Sequence, residues 1–168
     1  MASDYYLQIG SQGSDGAVVG ESQNPNYTGQ IELDSFSFGA SNPADVGGGG
    51  LSAGKASLSD FNITCALDSS SWQIVKDLYA GTHVDTCTLS GNKAGGDAST
   101  YKYLEVVMSN CYITSHSTGG GAQGVPTQSV SIAYAKIEYQ YYTQDTSKGT
   151  VKLAGTAEYS IVTGVVKK

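Results

Sequence analysis

Few residues in this 168-residue chain have the types and spacing to do chemistry. His83 and His116 are the only histidines, and Asp85 alternates with His83 on one face of a strand-like stretch. That spacing suits a metal pair, or a base with an orienting carboxylate. At a strand start just past a helix end, His83 reads more simply as structural. Positions 115–117, "SHS", set hydroxyls beside a base, but no GxSxG elbow surrounds them. Cys65, Cys87 and Cys111 are odd in number and widely spaced, in apolar stretches such as "FNITCAL" and "VVMSNCYI". They read as buried free thiols, neither a disulfide framework nor a zinc set. "GGGGLSAGKAS" ends in Gly54, Lys55 and Ser57 but runs into a strand, whereas a phosphate cradle needs GK[ST] in succession at a helix N-terminus. The expectation is no catalytic residue, no cofactor and no metal site.

Charge narrows the partners. The nine basic residues are all Lys, against fifteen Asp and Glu, for a net charge of -6. Without Arg and without a basic surface the chain is not expected to hold a nucleic-acid backbone. Positions 1–84 carry Lys55 and Lys76 against nine acids, net -7, and positions 85–168 carry seven Lys against six, net +1. Such asymmetry suits head-to-tail contact between copies, although scattered solvation explains it as well. The opening "MASDYYLQIGSQG" has no basic segment followed by an apolar run, and no stretch approaches membrane-spanning length. Synthesis in the cytoplasm without a cleaved signal peptide, and no membrane insertion, are therefore expected.

The elements that must position these residues are mostly strands. Gly 22 and Tyr 12, with many Ser and Thr, favour strands and turns, and the length suits one domain over 1–168. "YYLQIG" reads as a first strand. "GESQNPNYTGQIELDSFSFG" turns and then alternates, with Ile31, Leu33, Phe36 and Phe38 among polar residues. Positions 39–54 form a long excursion whose Gly47, Gly48, Gly49 and Gly50 argue against regular structure. "KASLSDFNITCAL" puts Phe61, Ile63, Cys65 and Leu67 on one face. One helix interrupts, capped near Asp68 or Ser69 to Ser71 and ended by Gly81, with Trp72, Val75, Leu78 and Tyr79 as the stripe expected to bury Trp72. "NKAGGDAST" reads as a hairpin connection. "YKYLEVVMSNCYITSHS" is one bent strand or two joined near Asn110. In "VSIAYAKIEYQYY" one face presents Val130, Ile132 and Tyr134 and the other Ala133, Ala135, Ile137, Tyr139 and Tyr141. A strand apolar on both faces calls for two covers, the chain's own core and a helix or neighbouring chain. About eight strands and one helix imply an all-β fold with one flanking helix, a tight antiparallel β-barrel formed from two sheets.

Two functions compete with assembly. A carbohydrate-binding, lectin-like β-domain would stack exposed Tyr or Trp on sugar rings. A secreted hydrolase would need long-range packing to bring His116 to a carboxylate.

The ordered pieces "YYLQIG", "GESQNPNYTGQIELDSFSFG", "GGGGLSAGKASLSDFNIT", "DSSSWQIVKDLYAGTHVDTCTLSG", "YKYLEVVMSNCYITSHSTGG" and "TQSVSIAYAKIEYQYYTQD" resemble the Hcp family, haemolysin-coregulated proteins of bacterial type VI secretion systems. The resemblance implies a tight β-barrel with one flanking helix, assembled as a homohexamer whose stacked rings form the inner tube. It implies the type VI sheath, spike and effector proteins as partners, a lumen able to carry or chaperone effectors, and secretion through the system itself. It makes positions 39–54 the extended loop that reaches an adjacent ring, with Asp45, Val46, Gly47, Gly48, Gly49, Gly50, Leu51 and Lys55 as ring-to-ring candidates. The two-faced strand becomes part of the ring wall, with Val130, Ile132, Tyr134, Ile137, Tyr139 and Tyr141 as intersubunit candidates.

Overall fold

The structure, a computed structural model, describes residues 3–11, 17–45, 52–94, 100–145 and 147–167. In chain order its elements are β1 (Ser3–Ile9), β2 (Ile31–Leu33), β3 (Ser35–Ser37), β4 (Ala40–Ser41), β5 (Ala44–Asp45), β6 (Ser52–Ala53), β7 (Ser57–Leu58), β8 (Phe61–Ala66), α1 (Ser71–Ala80), β9 (Val84–Ala94), β10 (Thr100–Gly119), β11 (Thr127–Gln144), β12 (Val151–Ser160) and β13 (Val166–Lys167). The class is all-β with one helix, as the alternating pattern implies. The main ladder runs β13-β12-β11-β10-β9-β1-β2, and β8 pairs with both β11 and β3.

The ladder does not close into the expected barrel. Alternation slips between Leu33 and Phe36, and there the segment 31–37 changes partner: β2 pairs with β1, while β3 pairs with β8. At the corner Asp34 N–H donates to Thr64 O at 2.9 Å, which ties the end of β2 to β8. Past the corner Phe36 and Phe38 stack on the fully buried Phe61, with centroids at 6.0 and 5.3 Å. Offset stacking adds about 0.5–1.5 kcal/mol per pair to the burial term.

The two apolar faces of β11 have a different cause from the one inferred from sequence. Asn110 in β10 adopts φ 54, a left-handed conformation that Asn tolerates better than most residues. Before it Leu104, Val106 and Met108 are buried; after it Cys111 and Ile113 are. Across the ladder β11 makes the complementary switch, burying Val130, Ile132 and Tyr134 at even positions and then Ile137 at an odd one. One core thus receives both sets, and no second cover is needed for these four residues. Each fully buried Ile contributes about 1.5–3 kcal/mol, enough to hold the switch in place.

The helix corrects a second expectation. Trp72 is 62% exposed, and the inward residues are Ile74, fully buried, and Asp77, with Leu78 partly covered against the core. The entry to α1 is held by Asp68 Oδ1, which accepts from the Ser70 N–H at 2.9 Å and from the Ser70 hydroxyl. Gly81, at φ 63, ends the helix, and Thr82 N–H reaches Asp77 O at 3.0 Å. The apolar stripe read from the sequence was one residue out of phase, because Ile74 anchors the buried face.

Candidate functional site

The residues whose types suit chemistry are held by contacts within the fold. His83 Nδ1 lies 3.4 Å from Asp85 Oδ1 and its Nε2 lies 3.2 Å from Asn110 Oδ1, while its ring meets Tyr112 edge-on at 5.4 Å. The imidazole side chain is 40% exposed and the carboxylate 76%. The pair therefore braces the left-handed turn of β10 from the solvent side. His116 Nε2 pairs with Gln128 Oε1 at 3.0 Å, and the buried Gln128 amide donates to Cys65 Sγ at 3.3 Å. An amide stands where a hydrolase would orient its base with a carboxylate. Ser115 and Ser117 face Ser131 and Ser129 across the ladder. Among the described residues no three His, Cys, Asp or Glu converge on a point that could hold a metal ion.

The three thiols are free and buried, as expected. Burial pushes the Cys65 thiol up to about 11. Cys87 and Cys111 hydrogen-bond to one another, which raises the first and lowers the second. Both stay inside the core and face no cleft.

The surfaces suited to assembly lie elsewhere. The described residues of 39–58 pair in two short steps that make a ribbon: β4 with β7 and β5 with β6. Its strands cross so tightly at Gly54 that a β-carbon there would meet Pro43 O at 2.8 Å. The expectation of irregular backbone through this excursion is thus corrected by two short pairings, while Val46, Gly47, Gly48, Gly49, Gly50 and Leu51 lie outside the described residues. The backbone of Asp45 ends β5. Lys55 is exposed at the foot of the ribbon, its side chain against Gly164 in the C-terminal turn. Tyr159 ties the same foot down by donating from its hydroxyl to Ala56 O at 3.3 Å.

Beside that foot runs an apolar groove of about 270 Å³, lined by Phe38, Leu58, Ile137, Tyr139, Tyr159 and Val166 among others. Of the six wall candidates, Val130, Ile132, Tyr134 and Ile137 belong to the chain's own core, and Tyr139 and Tyr141 reach the surface at 39% and 38% exposure. Val130 and Ile132 have almost no exposed surface, while Tyr134 and Ile137 show only their edges in the groove. Two further surfaces escaped the sequence reading: Trp72 and Tyr79 stand out from α1, and β12 is exposed throughout residues 151–157. Only the pairing shows that, among the described residues, nothing covers β12 there.

The profile of the family described as "Type VI secretion system effector, Hcp" matches residues 6–141. The chain belongs to the Hcp family. Protein hcp1 of Pseudomonas aeruginosa is 30% identical over 146 residues, 86% of each chain. A solved structure titled as a type six secretion system protein superposes with a TM-score of 0.87 at 24% identity, covering 99% of this chain and 100% of that one. Hcp1 from Salmonella typhimurium superposes at 0.75 with 21% identity and the same coverage. This Hcp chain is accordingly a structural subunit of the type VI secretion inner tube, and the lectin and hydrolase readings give way to that one.

Proposed function

We propose that the chain assembles as a homohexameric ring, that rings stack through the ribbon at 39–54, and that the stacked tube passes out through the secretion system carrying effector proteins in its lumen. The observation that carries this reading is the distribution of surface in a family of tube subunits: a core that buries the thiols, histidines engaged by the chain's own side chains, and beside them a paired ribbon and a strand exposed over residues 151–157. Closed rotational symmetry covers such surfaces on every copy at once. The sheath and spike of the system would contact the outer wall and end of that tube, and the protein would act without a catalytic cycle. Asp45, Lys55 and the residues between them form the axial contact in this reading, with Tyr139 and Tyr141 on the wall.

Sedimentation velocity at micromolar protein tests the ring. A species near six times the 17.4 kDa chain is expected, and a single-chain species across that range would overturn the reading.

A further inference from the structure

Val84 and Cys87 in β9, and Met108 and Cys111 in β10, are all buried at 1% exposure or less. Strict alternation would set the members of each pair on opposite faces, because three positions separate them. Both strands therefore slip phase over the same step, where Thr86 faces Ser109 between the Cys87–Met108 and Val84–Cys111 partners. On β10 the slip is the left-handed Asn110. Its consequence is that Cys111 comes round to the face of Cys87, one step along the neighbouring strand. The two thiols meet there: the Cys87 S–H and the Cys87 N–H both donate to Cys111 Sγ. Cys65 stands apart on β8, held by the Gln128 amide at 3.3 Å.

The arrangement makes the two sulphurs unequal. The hydrogen bond from the Cys87 thiol, helped by the Cys87 amide, holds the Cys111 thiol below its ordinary value against the effect of burial. Cys87, which donates and is buried, is pushed well up. An attacking sulphur thus has a resolving sulphur within hydrogen-bond reach. The way in is the turn itself. His83, Asp85 and Asn110 are exposed around this step, and Cys111 is the next residue after Asn110. Opening of the turn alone uncovers Cys111 while the rest of the ladder stays paired.

We propose that Cys87 and Cys111 are a dithiol that closes to an intrachain disulfide by exchange with a small-molecule disulfide, clasping β9 to β10 beside the Asn110 turn. The Cys111 thiolate attacks one sulphur of the oxidant, whose S–S bond breaks, and one small thiol leaves with a proton. Cys87 then gives up its proton and attacks Cys111 Sγ in the mixed disulfide, expelling the second small thiol. Two protein thiols are oxidised and one external disulfide is reduced to two thiols. The cytoplasm keeps thiols reduced and the exterior does not, so in a secreted family the clasp stays open during assembly and closes after export. That timing rests on the export reading; the dithiol itself does not.

Fully reduced chain held with glutathione disulfide, in urea below the unfolding transition, tests the proposal. Thiols counted after complete unfolding should fall from three to one, the mass should drop by two hydrogens, and digestion should release a peptide linked through Cys87 and Cys111. The thermal midpoint should rise by several degrees and return on reduction. A Cys65→Ala chain should close the same bridge and keep no thiol, and a folded Cys87→Ala chain should close none. Three persisting thiols, a chain that retains bound glutathione, or a bridge to Cys65 overturns the proposal. Chain alkylated in the culture medium should carry the bridge and cell-bound chain should not. Reduced chain in the medium overturns the timing, and absence of the chain from the medium overturns the export reading while the dithiol stands.

Discussion

Gln128 shows how a polar residue can be consumed by structure. It is 1% exposed, its amide donates to Cys65 and its carbonyl oxygen meets His116, so three chemically interesting groups satisfy one another. The burial that quiets Cys65 has a measurable consequence. Its thiol ionises near 9.0 in an unfolded chain and near 11 in the fold, chiefly because burial opposes the thiolate. A raised folded value means the stabilisation is complete below pH 9 and is lost as the pH rises toward 11. Cys87 and Tyr103, also pushed up, add to the loss in alkali. Urea midpoints taken from pH 7 to 11 should fall from about pH 9 onward. A Cys65→Ala protein, less stable at neutral pH through its lost volume, should fall less steeply, and an unchanged alkaline slope would show that Cys65 does not contribute. That the cysteines are free and buried was legible from their apolar settings. The link to His116 was not, because nothing local in "SHS" announces a glutamine twelve positions away.

At the scale of elements, the departures at the β2–β3 corner, in β11 and in the helix are all departures of phase. The pattern Ile31, Leu33, Phe36, Phe38 slips by one residue, and that slip is the corner at Asp34 where the segment moves from β1 to β8. In β11 the step from Tyr134 to Ile137 was visible as apolar residues on two faces, but it was assigned to two covers. It answers the left-handed Asn110 across the ladder. The helix was placed to within a residue at each end, yet its buried face was not. Trp72 is the most apolar-looking residue in the stripe, while Ile74, the residue with no exposure at all, falls between the positions chosen. Period locates elements more securely than it chooses between neighbouring phases, since a ten-residue helix offers only three turns of evidence. The Asn110 turn makes its own prediction. Ala at φ 54 meets the steric penalty that Gly avoids, and both substitutions remove the bond to His83. Asn110→Ala should therefore be less stable than Asn110→Gly by about 1 kcal/mol in urea unfolding. Equal stability would mean that the backbone there relaxes out of the left-handed region and that the parity switch does not depend on it.

For the whole molecule, the division of labour is between a core that holds one chain together and projections that serve the assembly. The fold class was legible because alternation around a single helical segment leaves few architectures. The surfaces were only half legible, because exposure of β12 depends on strand order, a long-range property that no local pattern carries. The ribbon at 39–54 gives the sharpest separation of the two roles. Of the residues 39–43 and 54 none belongs to the main core cluster, and β5 and β6 pair with each other alone. Excising Gly47, Gly48, Gly49 and Gly50 shortens the connection from β5 to β6, and the closure entropy of a loop changes by only about 0.6 kcal/mol per halving of length. Thermal unfolding should then stay within about 0.5 kcal/mol of the parent. Rings should persist in sedimentation, since only the proposed axial contact is shortened. Long tubes should disappear from electron micrographs of concentrated protein, because the axial reach has gone. Retained tubes would move the stacking contact off the ribbon, and a chain that unfolds on excision would place the ribbon in the folding of the single subunit instead.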